Sequence, residues 1–312
     1  MYFPILRGRQ FELLALRECV RKDILSNQII PIIEPVKASS TYVKTIDTFI
    51  TLNKSIAVII NPQIGTFDKG LSKENNISIR QKVSEQLKNS NIIPSFYVTP
   101  KLGMDIDSAQ QDGHPIDSLL LLCDNPDYLS IYEEVVGNDR PLYNVIPDQG
   151  DFRRRIRPNR IMCQDHFPKQ MRNVDYLAKE TEFFSSDHLY YQDDGYKGFS
   201  DYSIVGKEYT ETGFAPYAVA IHIVYFDDKH ILRIAHFVSD SNDDIYDPAR
   251  KFAEAVEKLV KWNKTMRLNT IGIQEFENAY RNQIYPGLGV VKKYSIMHHL
   301  ELMSKYLDGV EK

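Results

Sequence analysis

Apolar residues in this chain come in short unbroken runs, separated by stretches of helical spacing. Ile29-Ile30-Pro31-Ile32-Ile33, Ile56-Ala57-Val58-Ile59-Ile60 and Leu119-Leu120-Leu121-Leu122 are continuous rather than alternating, the pattern of parallel strands covered on both faces. Between such runs, Phe11, Leu14, Ala15, Cys19 and Ile24, and later Val43, Ile46, Phe49 and Ile50, recur every three or four residues, as an amphipathic helix requires. The pattern predicts strands at residues 2–6, 29–33, 56–60, 92–98, 118–122 and 143–146. It predicts helices at 10–24, 41–52, 77–87, around Ala109 and at 128–136. The strands recur at intervals of about 25 to 30 residues, a barrel rhythm. No glycine-rich phosphate loop follows any of them, as a Rossmann unit would need.

The second half is less regular. Residues 151–160 (DFRRRIRPNR) read as a basic linker and 161–164 as a further strand; 187–206 is rich in aromatics, aspartate and glycine, and 190–206 reads as an ordered active-site or partner-contact loop. Two β-patterned runs, 218–226 and 231–238, flank Asp227-Asp228-Lys229 and predict an antiparallel hairpin. Asp247-Pro248 starts a helix to about Trp262 with Phe252, Ala255, Val256 and Leu259 inward. A last helix at 295–307 carries Ile296, Leu300, Met303 and Leu307 on one stripe, with His299 beside the stripe and His298 facing solvent. The expected fold is a single α/β domain over residues 1–312, a TIM-barrel-like (β/α) repeat with an antiparallel hairpin in its C-terminal half.

Composition changes this picture little. The net charge of −4 supplies no global attraction to nucleic acid or membranes. Cys19, Cys123 and Cys163 lie far apart, as reduced core thiols do and as a disulfide framework or thiolate metal site does not. The chain opens without a signal-peptide pattern, and no apolar run approaches the ~20 residues of a membrane helix. A cytoplasmic protein is expected.

Candidate chemistry gathers where strands end, since α/β barrels place their sites at that rim. Arg7, Glu34, Asn61, Lys101, Asp124 and Asp148 close successive strands. Glu34 is the expected catalytic carboxylate, and Arg7, Lys101, Asp124 and Asp148 the expected contacts to a phosphate-containing ligand. Any strand end meeting water is polar, so composition alone does not separate site from surface. A second constellation is His222 and His236, in the two facing strands, with Asp201. It suits acid–base chemistry. Zinc would need a further ligand at recognisable spacing, which is missing, so no metal is assigned, and no cofactor is specified. His298 and His299 are adjacent on a helix and point about 100° apart, which prevents shared chelation. Arg153, Arg154, Arg155, Arg157 and Arg160 form the one dense basic stretch, the only weak pointer to nucleic acid. A solvated connection has the same composition, and Arg157-Pro158 interrupts any helix there. The aspartates of residues 190–206 lack the EF-hand register. GxSxG, P-loop and HExxH motifs do not occur.

The opening YFPILRGRQFELLALRE, the strand PIIEP, the segment GFSDYSIVG and the tail HHLELM resemble the phage beta protein family. The resemblance covers nearly the whole chain with short motifs. It implies a barrel-like fold, a partner protein encoded alongside, and a place in an anti-phage defence, toxin–antitoxin-like or mobile-element module, with no activity carried onto particular residues. Three functions are therefore expected to compete. The first is a ligand-sensing or partner-binding barrel with its site at the rim around Arg7, Glu34, Lys101 and Asp201. The second is a phosphoester or nucleotide hydrolase using the same rim, with or without a divalent metal, and the third is a purely structural subunit whose surface matters and whose rim does not.

Overall fold

The apolar runs fold into strands too short to stand alone. The computed structural model describes residues 1–211 and 216–310, and in it β1 (Ile5–Leu6) and β2 (Ile32–Ile33) span two residues each. The chain continues from β1 through α1 (Gln10–Arg21), β2, α2 (Ser40–Thr51), β3 (Ile56–Ile59), α3 (Phe67–Leu71), α4 (Ile77–Leu87), β4 (Ile92–Tyr97) and α5 (Leu102–Gln111). Next come β5 (Leu120–Leu122), α6 (Leu129–Val136), β6 (Tyr143–Ile146), α7 (Gly150–Arg155) and β7 (Arg160–Cys163). After β8 (Thr181–Ser185), which belongs to another sheet, α8 (Asp187–Tyr190) leads into β9 (Gly198–Ser200).

Strands β1 to β7 and then β9 form an eight-stranded sheet, parallel at every pairing. Backbone bonds join its two ends: Phe3 N–H donates to the Phe199 carbonyl and Ile5 N–H to that of Asp201, both at 2.8 Å, and Phe199 N–H donates to Met1 at 3.1 Å. The expected (β/α) barrel is therefore present. Gly198 sits where the ends meet. A Cβ there would lie 2.8 Å from both the Met1 carbonyl oxygen and the Phe3 ring, so the closure needs a residue with no side chain. Alternate strand residues, including Phe3, Ile5, Ile32, Ala57, Ile59, Leu120, Leu122, Val145 and Ile161, form one buried cluster, the filled interior of a small barrel.

The chain divides into two compact units. The barrel unit comprises Met1–Leu13, Asn27–Asp165 and Asp187–Tyr202; the second comprises Leu14–Ser26, His166–Ser186 and the described part of Ser203–Lys312. In the second unit the predicted hairpin is β10 (Ala220–Phe226) paired antiparallel with β11 (Leu232–Val238), and β8 adds a third antiparallel strand. The helices α9 (Pro248–Met266), α10 (Ile271–Arg281) and α11 (Leu288–Leu307) complete it. Asp247 caps α9, its side chain accepting from Arg250 N–H at 3.0 Å with Pro248 at the first helical position. Phe252, Ala255, Val256 and Leu259 are buried against Ile221, Ile223, Ala235, Phe237 and Phe276, as the α9 periodicity predicts. Among the described residues, no helix is long and apolar enough to cross a membrane.

Four expectations need correction. Residues 190–206 are not simply a loop, because they contain the eighth barrel strand, β9. The basic stretch is not a linker but a short helix running into β7. Helix α10 carries no prediction, and α11 begins at Leu288 rather than Ser295. Finally, His298 does not face solvent. It is fully buried, with Nδ1 against the Thr270 hydroxyl at 2.7 Å and Nε2 donating to the Val224 carbonyl at 2.6 Å. One donor and one acceptor suit a neutral ring. Burial, helped by the charge of Lys305 and opposed by the Val224 carbonyl, lowers its pKa to about 4.

This depression has a sign. Between pH 6.5 and 4 the unfolded chain binds the His298 proton and the folded chain does not, so stability falls as pH drops through that window, by roughly 3 kcal/mol for this group. In urea titrations, His298→Gln is expected to be less stable than wild type at pH 7, with the gap shrinking towards pH 4. A gap independent of pH would show that the ring is not held neutral.

Candidate functional site

The barrel brings strand ends together, and the first two carry opposite charges. Arg7 follows β1 and Glu34 follows β2, and parallel pairing of Leu6 with Ile33 sets them side by side. The Arg7 guanidinium donates to Glu34 Oε2, and both side chains are buried, 5% and 0% exposed. Tyr97, the last residue of β4, donates its hydroxyl to the same oxygen at 3.0 Å. The backbone N–H of Gln63, in the loop after β3, donates to Glu34 Oε1 at 2.8 Å. The ring of Tyr202, just beyond β9, lies 5.0 Å from the guanidinium carbon, within cation–π range. Asn61 braces the group: its amide donates to the Tyr97 carbonyl at 3.1 Å and to Asp105 at 2.8 Å, and its oxygen accepts from Tyr97 N–H at 2.8 Å.

Every polar atom of the Glu34 carboxylate is thus engaged by a donor, which a charge so deeply buried requires. Burial alone would lower the Arg7 pKa, but Tyr97 and Glu34 together raise it. Burial and the Glu34 carboxylate push the Tyr97 hydroxyl up, so it is a donor and not a base. Asp201, also buried, accepts from the Tyr2 hydroxyl at 2.7 Å. Burial, then Asp201, holds that phenol well above its usual range.

The remaining rim residues are exposed: Lys101 before α5, Asp124 after β5 and Asp148 after β6. Asp148 accepts from the Tyr196 hydroxyl at 2.7 Å and pairs with Arg153 at 3.4 Å. Within the basic stretch, Arg154 pairs with Asp151 at 2.9 Å, and Arg155 donates through Nε to Glu133 at 2.9 Å. Neighbouring carboxylates therefore take up much of that charge.

The histidines lie elsewhere. His222 and His236 are directly opposite in the β10–β11 register, and their Nδ1 atoms are 2.8 Å apart. His236 Nε2 meets Glu182 of β8 at 3.2 Å. The carboxylate beside them is therefore Glu182, and Asp201, grouped with them in the sequence, belongs to the barrel unit with Tyr2. Burial, then His236 and Lys292, holds the His222 imidazolium well below its ordinary range. Burial likewise lowers His236, against the pull of Glu182. Among the described residues, no group of three or more His, Cys, Asp or Glu is placed to hold a metal ion.

Tyr97 and Glu182 have no place in the sequence constellations, and Tyr202 enters only as one aromatic of the 190–206 segment. Tyr97 ends an apolar strand and gives no polar signal there. Tyr202 follows a strand hidden in a glycine-aromatic segment, and Glu182 belongs to a strand with no prediction. Comparisons with protein-family models, curated proteins and solved structures find no match for this chain.

Removing one partner of a buried ion pair strands the other, at a cost of about 3–5 kcal/mol. Glu34→Gln is expected to lose about that much in urea denaturation, and Arg7→Met/Glu34→Leu to recover most of it. A single variant as stable as wild type would mean that the carboxylate does not hold a buried charge.

Proposed function

We propose that this chain is a binding barrel of an anti-phage defence or mobile-element module, recognising a phosphate-containing ligand or a protein encoded alongside it at the C-terminal rim of its strands. The observation that supports this reading is the division of the rim into an engaged interior and an exposed margin. Arg7, Glu34, Tyr97 and Tyr202 form a buried, mutually hydrogen-bonded or stacked group. Lys101, Asp124 and Asp148 leave charges of both signs at the surface. An exposed margin of mixed charge on a rigid scaffold suits recognition and orientation of a partner. The module itself is inferred from the resemblance to the phage beta protein family.

The hydrolase reading draws less support. A general base must reach the proton it abstracts, whereas Glu34 and Asp201 are buried and already accept hydrogen bonds.

The test uses exposed residues, because Glu34 variants would confound binding with folding. Purified protein would be screened by thermal shift against nucleotides and sugar phosphates, and by co-purification with the protein encoded alongside. A ligand at a hundredfold above its dissociation constant adds about 2.7 kcal/mol of stability. Either that stabilisation or a stable complex is expected, and Lys101→Glu should weaken whichever is found. Neither appearing, or Lys101→Glu and Asp124→Lys both leaving binding unchanged, would sink the rim as the site.

A further inference from the structure

Helix α11 runs along one face of β10 in the direction of the strand. His298 Nε2 is bonded to the Val224 carbonyl at 2.6 Å, and further along the rings of Tyr306 and Phe226 lie 5.0 Å apart. Ser295 is one helical turn before His298, and His222 is two residues before Val224, spacings that keep each on the same face as the residue it precedes. Both therefore reach the wall of one open cavity of about 290 Å³, formed by the second unit alone. Phe167, Tyr176, Ile204 and Val291 supply its apolar surface. The charged and amide groups at the wall are already engaged. Lys169 pairs with Glu208 at 2.9 Å, and Lys292 has partners of its own. Asn173 donates to the Ala218 carbonyl at 2.7 Å and Gln170 to that of Pro168 at 3.2 Å.

Two neutral polar groups remain. Ser295 is 2% exposed, and its hydroxyl makes no hydrogen bond among the described residues. The other is the outer nitrogen of His222, and its state is fixed from behind. Burial disfavours the charged form of both His222 and His236. A carboxylate only accepts, so His236 presents Nε2–H to Glu182 and, as a neutral ring, a lone pair at Nδ1. His222 then donates from Nδ1 across the 2.8 Å contact, which leaves its Nε2 as a lone pair. That nitrogen has no hydrogen bond among the described residues, and the ring is partly exposed at the cavity wall. Phe167 and Tyr176 hold the ring edge-on, with centroids 5.2 and 4.6 Å away.

We propose that this cavity binds a small neutral phenol, whose O–H donates to His222 Nε2 and whose oxygen accepts from the Ser295 hydroxyl. A hydroxyl oxygen is donor and acceptor at once, whereas an ether or a carboxylate brings no proton to the lone pair and an ammonium brings no acceptor to the serine. A phenol keeps its proton at neutral pH, since its pKa lies near 10. Water has the same bonding capacity and is the competing occupant. The aromatic ring is what a phenol adds, by covering the apolar surface of Phe167, Tyr176 and Val291. His222 and Ser295 touch the ligand, whereas His236 and Glu182 are positioning residues that fix the tautomer of His222.

Titration calorimetry with p-cresol on the full chain tests this, with the methyl ether of p-cresol as the control that keeps the acceptor and lacks the donor. Saturable one-to-one binding of p-cresol is expected, and binding of the ether about tenfold weaker, because the lone pair is then left facing an apolar group. Ser295→Ala should raise the p-cresol dissociation constant about fivefold, the worth of one neutral hydrogen bond, while Lys101→Glu at the barrel rim leaves it unchanged. Nitrogen-15 spectra of labelled histidine give an independent readout. His222 Nε2 should be bare in the free protein, and its resonance should move on adding p-cresol and stay in place on adding the ether. Glu182→Gln should narrow the preference for p-cresol, because an amide can also donate and so lets the histidine chain run in reverse. Equal affinity for the ether, indifference to Ser295→Ala, a proton on His222 Nε2 in the free protein, or a folded chain whose cavity holds water only would overturn the proposal.

Discussion

The barrel depends on its closure between the first residues and a segment nearly two hundred positions later. A two-residue strand such as β1 has almost no local stability, since isolated strand pairs are marginal even when longer. Here it is hydrogen-bonded on both sides, to β2 and to the β9 segment, so the sheet leaves it no edge. Gly198 admits the close approach, and Ser200 adds a hydroxyl bond to the Phe3 carbonyl at 2.6 Å. Contacts of such sequence separation are costly in loop entropy, and a filled interior provides the offset. With the ring closed, every strand end faces the same mouth. That is why Arg7, Glu34, Tyr97 and Tyr202 meet although they are scattered over almost two thirds of the chain.

The charged group at that mouth follows different energetics from the core below it. Burying apolar strand residues is favourable in proportion to area, but burying an arginine and a glutamate has a large desolvation cost that only a complete set of partners offsets. The Glu34 carboxylate has that set in Arg7, the Tyr97 hydroxyl and the Gln63 N–H. The cluster therefore ties four strand ends together more than it stabilises any one of them. It also makes Glu34 a poor general base, because its lone pairs are already in use.

The sequence makes the barrel's first six strands readable, because parallel strands buried on both faces appear as continuous apolar runs. The seventh is readable only as a short run after the arginines. The eighth is not, because Gly198-Phe199-Ser200 contains one large apolar side chain, and its glycine is required by a neighbour rather than by its own strand. Strand β8 reads TEFFS, with Phe183 more than half exposed and Phe184 buried, too short an alternation to register. Convergence of Arg7 and Glu34 follows from the parallel repeat. That both are buried does not, since a strand end is polar whether it meets water or a partner. His298 shows the same ambiguity on a helix, where one face of α11 is covered by a sheet whose placement no periodicity reveals.

Two buried polar clusters in this chain thus reach opposite endpoints. In the barrel mouth, three donors converge on one carboxylate and every polar atom of that carboxylate is engaged. In the three-stranded sheet, a single carboxylate starts a directional chain through His236 to His222, and such a chain consumes one donor and one acceptor at each ring. A linear chain of neutral imidazoles always ends on a nitrogen that nothing upstream can satisfy. Whether that terminus is structural waste or a site depends on what it faces, since an unsatisfied nitrogen is costly inside a core and tolerable against open space. Here the ring at the terminus is partly exposed at the wall of a cavity, so the leftover lone pair is not sealed inside a core.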